Sequence, residues 1–399
     1  MVHVAILGFG VVGSGVAEVL EKNTEKIAFS AAAEISLKYI LDLQDFPGSP
    51  FADRVIHDFK RIEQDPEIQI VVETIGGTGV AYEFTKRCLL AGKSVVTSNK
   101  ELVAIHGYEL LSIAVENNLN YFFEASVGGG IPIVRPLCQC LAANEISEVY
   151  GILNGTTNYI LSHMAAGVDF DSALRQAQEL GYAEADPTAD IAGHDACRKI
   201  CILGSLSFGH HIHPDQVYTE GIDKVALQDI YYAKQAGWRI KLLGRAIRRA
   251  GDTVAVYVAP HLVSTESILA NVDDVFNGIM VKGNAIGDVM FYGPGAGKLP
   301  TASAVVADII DCAKHFHARK YIDWLEGDSR FVADPRALVT RWYVRTPPGG
   351  EKAFGQVDLL SCAETAPADT VFLTPPMSQV EIQPKLEATN AICAFRVLE

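Results

Sequence analysis

Six residues near the start of the chain constrain everything after them. Gly8-Phe9-Gly10-Val11-Val12-Gly13 closes an apolar run, Val2–Leu7, and opens a segment, 13–21, whose apolar residues recur at helical spacing. In a strand–turn–helix unit each glycine has its own role. Gly8 allows the tight turn, Gly10 lets the main chain approach a pyrophosphate, and Gly13 lets helix and strand pack closely. The helix N-terminus then faces the phosphates with unpaired N–H groups. Alone the pattern is weak. After the first strand of an alternating β/α region it points to a bound dinucleotide.

The alternation is there. Ile35–Leu41, 68–72, Ser94–Thr97 and 120–123 read as strands, and 82–91 and 102–117 have helical periodicity. This predicts an α/β fold whose N-terminal part, 1–130, is a doubly wound parallel sheet of the Rossmann type. Residues 131–330 read as a second, mixed α/β domain. It has helical patterns at 173–180, 195–208 and 302–314, the last expected to pack back on the first domain, and strands at 147–153, 253–260 and 288–292. Residues 335–399 read as a small βα module, with strands RWYVRT, DTVFLT and AICAFRVLE, helices at 351–360 and 378–387, and turns at TPPGGE and ETAPAD.

Composition narrows the function classes. With 49% hydrophobic and 20% charged residues the chain can bury a large core. A net charge of −15 argues against nucleic acid or an anionic membrane as partner, since both need clustered Lys and Arg. No apolar run is long enough for a membrane helix, and the apolar N-terminus lacks the basic flank of a secretion signal. Eight cysteines without a C-x-x-C pair suit neither a disulfide scaffold nor a zinc site. A reduced, cytoplasmic protein is expected.

The loops at the carboxyl edge of the first sheet are the next candidates, because ligands bind there. Asp42 follows the second strand, with Asp45 close by, and would bond a ribose 2′-OH and repel a 2′-phosphate. It lies 29 residues past Gly13, beyond the usual spacing of about 20. Arg54, Lys60 and Arg61 would serve a 2′-phosphate, so the lean to NAD over NADP is slight. Glu73-Thr74-Ile75-Gly76-Gly77 ends the third strand and Thr97-Ser98-Asn99-Lys100 the fourth. Lys100 is either a surface lysine or one aimed at the cofactor edge. The hinge Glu124-Ala125-Ser126-Val127-Gly128-Gly129-Gly130-Ile131-Pro132 reads first as a connector. Its carbonyls, with the Glu124 carboxylate, would also suit a hard cation.

The second domain carries the densest chemistry. Asn154-Gly155-Thr156-Thr157-Asn158-Tyr159 is either a helix cap or a polar substrate wall. Residues 181–199, GYAEADPTADIAGHDACRK, hold Glu184, Asp186, Asp190, His194, Asp195, Arg198 and Lys199. Asp195 and Lys199 are four apart and share a helix face. An exposed ion pair is the plain reading. The apolar ICILGSLSF that follows carries the helix into a core, which would desolvate Lys199 and suit it to proton transfer. The carboxylates offer partners for a substrate ammonium. Two further motifs read as loops. Gly293-Pro294-Gly295-Ala296-Gly297-Lys298 is one residue short of a P-loop, with Thr301 placed to cap the next helix. His210-His211-Ile212-His213 reads as a surface loop.

In combination, GFGVVG, VVETIGG, VVTSNKELVA, EASVGGGIPI, NGTTNYIL, GYAEADPTADIAGHDACRK and GPGAGKLPTASAV resemble the homoserine dehydrogenases, from the glycine motif to about residue 330. The resemblance implies an enzyme interconverting L-homoserine and L-aspartate 4-semialdehyde with NAD or NADP, in threonine, methionine and isoleucine biosynthesis. It implies a substrate domain that also forms a homodimer or larger homo-oligomer. It places Lys199 and Lys100 at the reacting centre, with Asp195 orienting Lys199. It gives the substrate Glu184, Asp190, Thr156 and Tyr182, and adds Gly297 to the cofactor contacts. It also implies a sodium-type site made by the backbone carbonyls of Glu124, Val127, Gly129 and Ile131. Residues 335–399 resemble a shortened ACT regulatory module. Thr346-Pro347-Pro348-Gly349 stands where the module has an acidic-Arg-Pro-Gly turn, which weighs against threonine feedback through it. Two other readings share the cofactor domain: an amino-acid dehydrogenase acting at C–N, and a sensor without turnover. The Asp195/Lys199 pair argues against the sensor.

Overall fold

A computed structural model describes residues 1–318, 320–328, 330–360 and 369–399. Cys362 and residues 364–368 of the expected ETAPAD turn lie outside them.

The first domain runs β1 (Val2–Leu7), α1 (Val11–Lys22), α2 (Thr24–Ala31), β2 (Ile35–Leu41), β3 (Val55–Ile56), α3 (Lys60–Glu63), β4 (Ile68–Glu73), α4 (Val80–Leu90), β5 (Ser94–Thr97), α5 (Lys100–Glu116) and β6 (Tyr121–Phe122). All six strands are parallel, in the order β3-β2-β1-β4-β5-β6. This is the Rossmann order, and it reverses between β1 and β4. The central strands read as unbroken apolar runs because helices cover both faces: Val4, Ile6, Ile70, Val72, Val95 and Val96 are fully buried.

The second part runs β7 (Ile146–Ile152), α6 (Gly155–Ala165), α7 (Phe170–Glu179), α8 (Thr188–Ile191), α9 (His194–Phe208), β8 (Tyr218–Thr219), α10 (Leu227–Gln235), β9 (Trp238–Arg248), β10 (Val254–Ser264), β11 (Phe276–Gly283), β12 (Gly287–Pro294) and α11 (Lys298–Lys314). After it come β13 (Val332–Ala333), β14 (Val339–Thr340), β15 (Trp342–Thr346), β16 (Asp358–Leu359), β17 (Thr370–Leu373), β18 (Met377–Ser378), α12 (Gln379–Ala388) and β19 (Cys393–Leu398). One mixed sheet takes strands from both stretches, in the order β12-β11-β7-β9-β10-β19-β15-β17-β16. The C-terminal strands therefore extend the middle sheet through the parallel pair β10–β19. A buried ion pair latches them: Arg345 Nε and Nη2 lie 2.7 and 3.1 Å from the carboxylate of Asp229 on α10, and Asp229 is fully buried.

Two close approaches place the site. A Cβ on Gly244 of β9 would stand 2.8 Å from Leu153 and 3.1 Å from Ile200, so α9 lies directly on the sheet. A Cβ on Gly15 of α1 would stand 3.0 Å from Lys298 and 3.1 Å from Ala302, so α11 packs on the first domain. Among the described residues no helix is long and apolar enough to cross a membrane.

Three local expectations need correction. The helix expected over 351–360 is a 3-10 turn, Gly350–Phe354, followed by β16, because Gly355 at φ +83 turns the chain. Thr301 lies inside the first turn of α11; the cap is Gly297, whose φ of +123 suits glycine. The HHIH segment is not a surface loop: Ile212 is fully buried, and His211 is 3% exposed with Nε2–H donating to the Ala104 carbonyl at 2.8 Å.

Burial pushes the His211 pKa down to about 4, against about 6.5 in an unfolded chain. The folded state therefore keeps the ring neutral where the unfolded chain takes up a proton. Stability from this site is intact above about pH 6.5 and is lost as pH falls from there toward 4, by roughly 3 kcal/mol in all. Urea unfolding of wild type and His211→Gln between pH 7 and 4 should show that increment only in the wild type. Equal pH slopes would count against it.

Candidate active site

The cofactor side forms at the carboxyl ends of β1, β2, β4 and β5. Gly8 turns at φ +90 and its N–H donates to the Leu41 carbonyl at 2.8 Å. A Cβ on Gly13 would stand 2.0 Å from the Gly8 carbonyl oxygen and 2.8 Å from Thr74 Oγ1, so only glycine fits. Thr74 Oγ1 itself donates to the carbonyls of Leu7 and Gly8. A Cβ on Gly10 would meet nothing within 4 Å, the open approach a pyrophosphate needs. Val11, 68% exposed, and Val12 follow at the start of α1. The Asp42 carboxylate is drawn into this loop: Oδ2 accepts from Phe9 N at 2.7 Å and Oδ1 from Gln44 N at 3.0 Å. Arg54 donates to the Leu37 carbonyl, and Arg61 lies over the Tyr39 ring.

Glu73, at the end of β4, organises the next two loops; the sequence places it in the strand-end motif without giving it a role. It is fully buried. Its Oε1 accepts from Ile75 N at 2.7 Å and Gly76 N at 3.1 Å, and its Oε2 from Thr97 Oγ1 at 2.5 Å. The available signal was an acidic residue closing an apolar strand. Ser98 follows Thr97, and Asn99 then caps α5: Oδ1 accepts from Leu102 N at 3.0 Å while Nδ2 donates to the Gly77 carbonyl at 2.7 Å. Lys100 is thereby the first residue of the helix.

Lys100 reaches across to the second domain. Its Nζ lies 2.5 Å from Asp195 Oδ1, and Lys199 Nζ lies 2.7 Å from Asp195 Oδ2 and 2.8 Å from the Leu153 carbonyl. Asp195 is 3% exposed and Lys199 8%, so both are buried, while the Lys100 side chain stays 41% exposed at the mouth of the cluster. Arg198 and Glu101 make a second interdomain pair at 2.8 Å. Burial lowers the Lys199 pKa and the Lys100 charge lowers it further, against the pull of Asp195. Burial also opposes the charge of Lys100, but Asp195 outweighs it and holds that lysine above its ordinary value. Asp195 likewise resists its own desolvation, because two ammonium groups hold it well below the usual carboxylate range. Burial and the neighbouring Asp195 push Asp190 up.

A cavity of about 540 Å3 opens onto this cluster. Asp190, Thr156, Tyr182, Glu184 and Gly297 all line it. Thr156 Oγ1 donates to the Tyr182 carbonyl at 2.6 Å, and Glu184 is exposed on the wall. At the hinge, the Glu124 carboxylate is taken up by the N–H groups of Ile133, Val134 and Arg135 at 2.6 to 2.8 Å. Among the described residues the carbonyls of Val127, Gly129 and Ile131, all buried residues, accept no hydrogen bond from the chain. No group of three His, Cys, Asp or Glu side chains is placed to hold a metal among the described residues.

Residues 8–124 match the family model for the homoserine dehydrogenase NAD binding domain, and residues 132–310 match the homoserine dehydrogenase model. A homoserine dehydrogenase of Neisseria gonorrhoeae is 44% identical over 317 residues, 78% of this chain and 72% of that protein. The chain belongs to the homoserine dehydrogenase family. The crystal structure of a homoserine dehydrogenase from Thiobacillus denitrificans is similar over 100% of this chain and 98% of that one, with a TM-score of 0.91 and 35% identity. A hyperthermophilic archaeal homoserine dehydrogenase in complex with NADPH gives 0.67 at 29% identity, over 78% of this chain and 97% of that one. Membership makes the chain a nicotinamide-dependent oxidoreductase acting on a small molecule. The C–N dehydrogenase and sensor readings fall away.

The fit at Gly13 sets a test. Gly13→Ala should lose cofactor affinity by at least about tenfold, because the new Cβ forces α1 off the Gly8 turn. Fluorescence titration with reduced nicotinamide cofactor measures it. Unchanged affinity would mean that the turn is not the pyrophosphate cradle.

Proposed function

We propose that Lys199 is the proton acceptor when L-homoserine is oxidised to L-aspartate 4-semialdehyde, and the donor in the reverse direction. The observation that carries this is a desolvated lysine fixed at 2.7 Å on a carboxylate that a second lysine, from the other domain, also holds. The nicotinamide ring, when bound, supplies the hydride acceptor. Lys199 takes the hydroxyl proton, and Lys100 disfavours its protonation and stabilises developing alkoxide charge. Asp195 orients Lys199. Asp190 and Glu184 face the substrate ammonium, with Thr156 and Tyr182 shaping the wall. Gly8 to Gly13, Asp42, Thr74 to Gly76, Ser98, Asn99 and Gly297 hold the cofactor. NAD is the preferred form: Asp42 stands beside the glycine loop and would repel a 2′-phosphate, while Arg54 and Arg61 are engaged elsewhere.

The carbonyls of Glu124, Val127, Gly129 and Ile131 are suited to a sodium-type cation, which would supply a fixed positive charge ordering the hinge. The Glu124 carboxylate, already spent on three N–H groups, is not among its ligands. Edge strand β12, with Tyr292 56% exposed and stacked on Phe276, is the surface on which a second copy would pair, giving the dimer. The order β19-β15-β17-β16 followed through α12 fits an ACT-like βαββαβ module whose first helix has shrunk to one 3-10 turn. With free cysteines throughout the described residues, the cytoplasm is its compartment.

Reduced-nicotinamide absorbance with L-homoserine tests the reaction, with NAD and NADP in parallel and with and without L-threonine. Turnover is expected with the higher kcat/KM for NAD, rising with pH along a limb below the ordinary lysine value because the neutral amine is the active form. Lys199→Ala should lose turnover by on the order of 10³ while still binding cofactor. Near-normal turnover in that variant would sink the lysine assignment. Light scattering should return twice the monomer mass, and a monomer would remove the β12 pairing.

A further inference from the structure

Asn154 immediately precedes α6 and is 5% exposed. Its Oδ1 accepts from Thr157 N at 2.8 Å and Thr157 Oγ1 at 2.9 Å, the bonds of a helix N-cap. That fixes which end of the amide is oxygen. The other end, Nδ2, donates to Asp190 Oδ1 at 2.7 Å and to Asp195 Oδ2 at 2.8 Å. One neutral amide therefore spends both its protons on two carboxylates from two helices, α8 and α9. The peptide just before it holds Lys199 through the Leu153 carbonyl.

We propose that Asn154 is a positioning residue for proton transfer at Lys199: its amide keeps Asp190 and Asp195 side by side as carboxylates and shares the Asp195 oxygen that Lys199 grips. The proposal rests on the reading of Lys199 as the acid–base group. Two adjacent buried carboxylates repel, and with no donor between them one tends to take up a proton. The charged groups facing Lys199 are Asp195 and Arg198 on α9, Lys100 and Glu101 on α5, Asp190 on α8, and Glu184 and Asp186 on the cavity wall. Of these, Asp195 alone is in hydrogen-bond contact with Lys199 Nζ among the described residues. Each donor that Asp195 gains elsewhere loosens its hold on that ammonium. Removing the Asn154 amide leaves Asp195 Oδ2 to Lys199 alone, which makes the lysine harder to deprotonate. It also leaves Asp190 without its donor, which favours the neutral acid and weakens any grip on the substrate ammonium; losing that more distant charge eases Lys199 deprotonation by less than the freed Asp195 oxygen opposes it, because only Asp195 touches Nζ.

Asn154→Ser keeps an N-cap oxygen and removes the amide donor. The acidic limb of kcat/KM for homoserine oxidation should move up by about half a pH unit or more, with kcat at neutral pH down roughly tenfold and KM for homoserine raised. Cofactor affinity should stay at the wild-type value. Asn154→Asp keeps the shape and the cap but loses both amide donors, so its limb should move in the same direction. A limb that coincides with wild type in these variants, even with lower kcat, would show a merely structural role and overturn the proposal. Should Asn154→Ser fail to fold, Asn154→Asp carries the same test. Lys199→Ala run alongside separates the two ideas. If that variant keeps turnover, the lysine reading falls and takes this proposal with it. If it is inactive and the Asn154 limbs do not move, only the proposal falls.

Discussion

A single buried carboxylate holds the two halves of the site together. Asp195 takes Lys100 from the first domain on one oxygen and Lys199 from the second on the other. Burying one carboxylate costs several kcal/mol, and mutual attraction repays this only with close geometry and further hydrogen bonds. Here both oxygens are saturated, one of them also by Asn154. The arrangement has two consequences. It ties the domains across the cleft in which a dinucleotide and a small substrate would meet. It also forces two ammonium groups to share one counter-ion, so the more deeply buried of them, Lys199, is the one that most readily gives up its proton.

The cofactor edge is coupled to this cluster by a short chain of side chains. Glu73 holds the Ile75–Gly76 turn with one oxygen and Thr97 with the other. Thr97 Oγ1 accepts from Asn99 N, and Asn99 caps the helix that presents Lys100. Asn99 also fixes Gly77. A shift of the β4 turn is thus carried to Lys100 through groups that are buried and fully paired, so the geometry at Asp195 depends on the same carboxylate, Glu73, that shapes the cofactor loop.

Much of this was legible in the sequence because it rests on local rules. β1, β2 and β5 were readable to the residue, since a buried parallel strand is an apolar run bounded by turns. The proximity of Asp195 and Lys199 followed from helical spacing. Their burial followed from the apolar residues after them. Lys100 was half-read: its place at a strand end was plain, but its partner lies 95 positions away in the other domain, and no local rule reaches that far. Asn154 was read as either a cap or a polar wall because its cap oxygen is local and its two carboxylate partners are not. β9 escaped notice for a related reason. Its sequence WRIKLLGRAIR buries Lys241 and leaves Arg245 only partly exposed, where Asp273 and Glu148 neutralise them, so the alternation of apolar and polar residues does not show which face is inside.

The C-terminal region shows the same effect at the scale of a domain. Composition and turn signals set 335–399 apart, and its three longer strands, β15, β17 and β19, are where the patterns put them, whereas the two-residue β14, β16 and β18 carry no pattern of their own. What they could not show is that β19 pairs in parallel with β10, or that Arg345 of β15 buries its guanidinium against Asp229 of α10. Removing Arg345 costs about 3–5 kcal/mol, because Asp229 then stays buried without a counter-charge. Tyr343 Oη and Cys393 Sγ also lie against Asp229, at 3.0 Å each, so one carboxylate of the middle domain gathers two C-terminal strands. A module attached by a flexible linker moves without disturbing its neighbour. One whose strands continue the neighbour's sheet, and whose Arg345 is shared between its own Asp369 and the neighbour's buried Asp229, cannot. Any change in this module is therefore transmitted to β10 and α10 as strain rather than absorbed by a hinge.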